Sequence, residues 1–301
     1  MKKRALLVAA IMLAGALMPA PAFAWGFVGH RYIMARAIEL LPAPLKPFFD
    51  RYRDEIVIRA VDPDLWRNVG WEEDPNHFMD FGVREYGDYP FEVLPRELGA
   101  AIEKFGMATL KRNGMLPWRA QELFGNLRRT FEGFARGSQY GPSDLILFSA
   151  VTGHYIQDAH QPLHATNNYD GQLTGNTGIH ARFERDLIEK FQSRLTVRPA
   201  APAAIANVRD AAFEALLAGY KLVGPILEAD GEAIGSKDTY DAEYFESFFT
   251  TVKPILERRL GESITATAGL IVGAWEAAGK PAVALEGARP VERVRKPGSN
   301  R

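Results

Sequence analysis

The chain contains no cysteine. Disulfides, a lipid-attachment cysteine and a Cys-rich structural zinc site are therefore excluded, although a lack of cysteine alone fixes no compartment. No stretch sustains an apolar/polar alternation of period two, so half-buried strands are not expected. No repeat of about 20–50 residues is visible. Basic runs are missing outside the extreme C-terminus, and strong duplex binding normally needs a basic footprint, so none is predicted. No H-E-x-x-H occurs, so the zincin protease arrangement is not present. The longest apolar run, Ala5 to Met18, is too short to span a bilayer comfortably.

That run follows the positive residues Lys2, Lys3 and Arg4 and leads to Ala22-Phe23-Ala24, an A-x-A cleavage signature. Residues 1–24 read as a secretory signal peptide, with periplasmic or secreted localisation and no stable membrane insertion as the expectation. The mature chain would begin at Trp25 and keep 277 of the 301 residues, enough for one large domain or two small ones. Without the three basic leader residues, 33 Lys and Arg stand against 37 Asp and Glu, a formal charge of −4. This mildly acidic balance leaves a small or single-stranded phosphoester open as substrate. Nothing in the sequence points to a protein partner.

Helical spacing predicts segments at about Gly29 to Leu41, Leu45 to Ile58, Pro95 to Phe105, Pro117 to Ala135 and Ser143 to His160, the last with Ser143 as N-cap. Further helices are expected at Ile179 to Leu195, Ile205 to Ala218, Tyr240 to Arg259 and Ser263 to Ala278. Asp62 to Tyr89 reads as irregular because D-P-D, W-E-E-D-P-N and several glycines mark turns. The R-P-A-A-P-A-A near 198–204 reads as a short linker. Residues from 286 onward are basic and contain Pro and Gly, so a disordered tail is expected there. The predicted architecture is all-α, a single multi-helix domain over 25–285.

What the sequence does hold is a block from His154 to Glu184 with four of the six histidines in the chain. His154 and Asp158 are four apart, as are His180 and Glu184, and residues four apart share one helix face. Each pair alone fits a simple ion pair. Two such pairs with His164 between them, and His30 and His77 upstream, point instead to metal, and imidazole with carboxylate suits zinc. The upstream carboxylate is Asp62 or Asp64, which flank Pro63.

In these motifs the sequence resembles the zinc-dependent phospholipase C and S1/P1 nuclease superfamily. The likeness runs from Trp25, in W-G-F-V-G-H, through H-Q-P-L-H at 160–164, to about Lys190. It implies a single all-α domain holding three zinc ions. One ion would take Asp64, His77, His154 and Asp158, and a second would take His164, His180 and Glu184. The third would take the Trp25 amine and carbonyl with His30, bridged by Asp158. His160 resembles a supporting residue. Asp64 is preferred to Asp62 because nuclease members place a basic residue three positions on, and Asp64 is followed by Arg67. Asp62 stays the alternate.

The resemblance implies hydrolysis of a phosphodiester by a water whose pKa zinc lowers. Asp64 would orient that water or accept its proton, and Arg67 would add a bidentate phosphate contact. H-F-M-D at 77–80 resembles the nuclease branch, where Phe78 would stack a base and Asp80 would hydrogen-bond it. Glu184 as the last ligand, and the short His164–His180 spacing, resemble the phospholipase branch. Single-stranded nucleic acid or a nucleotide is the favoured substrate, and a phospholipid headgroup the alternative. A lost ligand would mark a non-catalytic zinc-binding protein; none is lost.

Overall fold

Apolar side chains at helical spacing build most of the described chain. The computed structural model describes residues 25–70, 72–137 and 141–285. The expected signal peptide and tail lie outside these residues. Helix α1 (Gly26–Glu39) buries Ile33, Met34, Ala37 and Ile38 on one stripe, with His30 one turn earlier on the same side. Two short helices follow, α2 (Lys46–Arg51) and α3 (Arg53–Arg59). They divide the single helix expected over Leu45–Ile58, because the backbone at Tyr52 leaves the helical region.

The stretch expected to be irregular is partly helical. Helix α4 (Asp62–Trp66) and single 3₁₀ turns at Arg67–Val69, Asp74–His77 and Arg84–Tyr86 punctuate it. Pro63 and Pro75 each sit in the first turn of such a piece, where the missing N–H costs no hydrogen bond. Helices α5 (Leu98–Phe105) and α6 (Met107–Asn113) come next; Gly106, with φ 76°, separates them. The second of these was not foreseen.

Helix α7 (Leu116–Ala135) lies along α8 (Gly141–Asp158), and this pair forms the spine of the molecule. α8 begins before Ser143 and ends before His160, so Ser143 is inside the helix rather than its cap. A short helix α9 (Ile179–Ala181) runs through a π-turn at Arg182–Asp186 into α10 (Leu187–Phe191). The C-terminal part is two long helices. α11 (Val208–Ile234) is capped by Asn207 and continues through Pro225. α12 (Ala242–Ala277) is capped by Asp241 and continues through Pro254 and Gly261, uniting the two helices expected there.

The 198–204 segment is not a free linker. It lies extended across α12, with Ile205 N–H donating to the Gly269 carbonyl (3.0 Å) and Ala200 N–H to Thr265 Oγ1 (3.0 Å). Gly269 and Gly273 leave room for it: a Cβ on either would collide with the carbonyl of Ala203 or Ile205. α12 packs on α1, α7, α8 and α11, closing one core around the central spine. Among the described residues there is no strand; an isolated parallel bridge joins Phe81 to Thr166. The fold is all-α and a single domain, and no described helix is long and apolar enough to cross a membrane.

Candidate metal centre

The C-terminal turns of α8 carry His154 and Asp158, four residues apart and both fully buried. α1 brings His30 to Asp158, with Nε2 3.3 Å from Oδ1. The 3₁₀ turn at Asp74–His77 brings His77, whose Nδ1 is 3.0 Å from Asp158 Oδ2 and 3.1 Å from His154 Nε2. α4 adds Asp64, 3.7 Å from His77 Nδ1 and 3.9 Å from His154 Nε2. These residues make two overlapping groups able to hold a metal ion, His30–His154–Asp158 and Asp64–His77–His154.

A third group is His164, His180 and Glu184. Glu184 Oε2 is 3.0 Å from His180 Nε2 and 3.8 Å from His164 Nε2. Glu184 sits in the π-turn; such turns are frequent at functional sites.

Hydrogen bonds fix the tautomers. His154 Nδ1 meets the Ala60 carbonyl at 2.8 Å, His164 Nδ1 the His77 carbonyl at 2.6 Å, and His180 Nδ1 the Tyr169 carbonyl at 3.1 Å. His30 Nδ1 meets Gln157 Oε1 at 2.6 Å. A carbonyl only accepts, so each Nδ1 carries a proton and each neutral ring turns a lone pair on Nε2 toward the carboxylates. His164 Nε2 and His180 Nε2 then face each other at 3.2 Å as two acceptors. A metal ion between them would satisfy both lone pairs. His77 is the exception: its Nδ1 faces the group, and its buried Nε2 has no hydrogen-bond partner among the described residues.

Burial without partners is sharpest at Asp64. Neither of its oxygens has a hydrogen-bond partner among the described residues, and neither does Asp158 Oδ1. A buried carboxylate in that state is costly unless a cation compensates it. Burial pushes the Asp64 carboxyl up to about 6, against the charges of His154 and His30. Burial opposes ionisation of Asp158 too, but pairing with His154 and hydrogen bonds from the histidines hold it well below the carboxylate range. Burial would lower His154, yet Asp158 and Asp64 raise it to about 9. Burial takes His77 down to about 3. Glu184 is held at about 2, burial being outweighed by His180 and His164. Protons on histidine thus balance the carboxylates in the metal-free chain, and metal binding would release them. The donor set fits divalent ions that accept nitrogen and oxygen ligands.

Asp62 lies outside the groups, half-buried and 3.3 Å from Arg59. Arg67 pairs with Asp74, and its charge reaches Asp64 and His77. Trp25 is fully buried, its indole N–H donating to the Gln157 carbonyl (2.7 Å). Its main-chain nitrogen donates to Glu184 Oε2 at 3.1 Å, which puts it on the His164–His180–Glu184 group, whereas the resemblance would put it with His30 and Asp158. With residue 24 attached this nitrogen is a peptide N–H; cleavage would make it an amine. His160 is buried outside all three groups, with Nδ1 on the Ile156 carbonyl (2.7 Å).

Phe78 is half-buried and does not pack in the hydrophobic core. The strand-like run at 78–80 passes beside the third group, with Met79 N–H on the His164 carbonyl (2.9 Å) and Asp80 N–H on the Asn113 carbonyl (2.7 Å). Gly114 (φ 102°) permits this approach, since a Cβ there would strike the Phe78 carbonyl. Burial pushes Asp80 up to about 7, and its Oδ1 has no partner among the described residues.

Two glutamines escaped the sequence reading. Gln157 orients His30, and Gln161 donates to Glu184 Oε2 at 2.8 Å while accepting from Leu163 N–H at 2.5 Å. Gln157 sits on the last turn of α8 next to Asp158, and Gln161 follows the helix as the cap of the 3₁₀ turn at Pro162–Ala165; their closeness in sequence to His154, Asp158 and His164 was the available signal. No protein-family model matches the chain, and a search of curated proteins finds no match.

Proposed function

We propose that this chain is a periplasmic or secreted zinc-dependent phosphodiester hydrolase, with single-stranded nucleic acid or a nucleotide as favoured substrate. Asp64 carries the proposal: a fully buried carboxylate without a hydrogen-bond partner among the described residues, set against two histidines and beside Asp158. A purely structural carboxylate would be paired or absent from such a place. Three zinc ions are assigned to the groups that the histidines and carboxylates form. Zinc bound there would supply Lewis acidity, lowering the pKa of a water and taking up charge on phosphoryl oxygens.

The chain's own residues supply the rest. Asp64, whose burial raises its affinity for a proton, would orient the attacking water and accept its proton at a carboxylate oxygen. Arg67, held on the 3₁₀ turn after α4, would contact the phosphate. Phe78, outside the core, would offer a face for a base, and Asp80 a buried oxygen for its edge.

Glu184 at the third group, and the 16-residue separation of His164 and His180, favour a second reading, a phospholipid headgroup as substrate. Assaying protein that begins at Trp25 on a single-stranded oligonucleotide and on phosphatidylcholine separates the two. Release of 5′-nucleotides with slow phosphocholine release is expected. Fast phosphocholine release without strand cleavage would reverse the order, and hydrolysis of neither would refute both.

A further inference from the structure

Three consecutive carboxylates, Glu72, Glu73 and Asp74, lead into the turn that presents His77, and each meets a cation from a different element. Lys111 Nζ is 2.6 Å from Glu72, Arg67 pairs with Asp74, and an Arg119 terminal nitrogen is 3.6 Å from Glu73. Glu72 and Asp74 have side chains 68% and 66% exposed, so their pairs contribute little. Glu73 is different: it is 4% exposed. Its Oε1 accepts from the Tyr155 hydroxyl and from Asn76 Nδ2 (3.1 Å).

Tyr155 extends that contact to the metal centre. Its ring centroid is 5.5 Å from that of His77 and 5.3 Å from that of His154, and the Arg119 guanidinium covers it at 5.5 Å. One buried carboxylate therefore ties the His77 turn to α8 through Tyr155 and to α7 through Arg119. The turn's backbone is also held at its Pro75 carbonyl, which accepts from Met115 N–H (2.6 Å), and at its His77 carbonyl, which meets His164 Nδ1 (2.6 Å); Glu73 adds the buried side-chain tie. Glu73 itself belongs to none of the three metal groups.

We propose that Glu73, acting through Tyr155 and Asn76, is the positioning residue for His77 and sets the ion affinity of the Asp64–His77–His154 group. The proposal rests on the metal reading above. Partners that orient a ligand typically change metal affinity about 10–100-fold when removed.

Competition titration with zinc and a chromophoric chelator tests it on the full chain beginning at Trp25. Tyr155→Phe keeps the ring and removes the hydroxyl; Glu73→Gln keeps the shape and removes the charge. Both should weaken, by about 10–100-fold, the same ion that His77→Asn loses, leaving the others unchanged. Combining either with His77→Asn should add no further loss, since the effects run through one side chain. Equal weakening of every ion, additive losses, or wild-type affinity with only a lower Tm would overturn the proposal. If Glu73→Gln does not fold, Tyr155→Phe decides alone. A wild-type chain that takes up no zinc overturns the metal reading and this inference together. Normal wild-type uptake with unchanged Tyr155→Phe overturns the positioning role only.

Discussion

Two aspartates separated by one proline meet opposite environments. Asp64 is sealed among histidines with no hydrogen-bond partner among the described residues, whereas the half-buried Asp62 pairs with Arg59. Asp64→Asn should therefore lower kcat/KM by at least about 10²-fold and weaken zinc binding. Asp62→Asn should leave both within about twofold, as for a surface ion pair. Steady-state kinetics with parallel zinc titration measure the contrast. At this scale the grouping of His154 with Asp158 and of His180 with Glu184 was legible, because a helical offset of four places donors on one face. Their supports were not. The Ala60 carbonyl that orients His154 is 94 residues away, and the His77 carbonyl that orients His164 is 87 away. Such partners are set by the fold, and no local pattern carries them. Gln157 and Gln161 were overlooked for a related reason: an amide has no charge to mark it.

Among the elements, α7 came close to its predicted bounds because its apolar stripe is long and regular, and α8, buried on all sides over its C-terminal half, because Gly141-Pro142 and Pro162 punctuate it. α12 shows where local reading fails. Two helices, Tyr240 to Arg259 and Ser263 to Ala278, were expected there, yet one helix runs through Gly261, where, as at Gly269 and Gly273, the missing side chain lets the 198–205 backbone lie close. Glycine costs helix stability, and close packing of another segment offsets that cost. Gly273→Ala should accordingly destabilise the fold by about 1–3 kcal/mol, as overpacking does. Gly125→Ala, within α7 and facing only the end of the flexible Arg129 side chain, should stabilise it by up to about 1 kcal/mol. Urea unfolding of both variants checks the pair, and equal effects would refute the packing explanation. The π-turn holding Glu184 was also beyond local reading, since an i,i+4 pattern cannot signal one residue of extra winding.

Across the whole molecule, the core and the candidate metal centre are one construction: α1, α4, α8, the 3₁₀ turns at Asp74–His77 and Pro162–Ala165, and α9 with its π-turn meet around it. Burial that stabilises the helices also strips water from the carboxylates and histidines, and acid should expose that dependence. Burial, with the nearby Arg259 charge, pushes His160 down to about 3, while in the unfolded chain it titrates near its ordinary value of about 6.5. The folded state therefore binds fewer protons between those values. Its stability is complete above about pH 6.5 and falls as pH drops toward 3, by at most about 1.4 kcal/mol per unit from this residue. In zinc-free protein, His160→Gln should show a shallower loss on acidification than wild type, and denaturant unfolding from pH 7 to 4 measures it. Parallel slopes would refute the assignment to His160. The central claim, that the buried histidines and carboxylates hold zinc, is tested most directly by elemental analysis of purified protein beginning at Trp25, after dialysis to remove loose ions. Close to three zinc ions per chain is predicted, with His154, whose one free nitrogen serves one ion, counted in only one of the two groups that share it; one or fewer would contradict it.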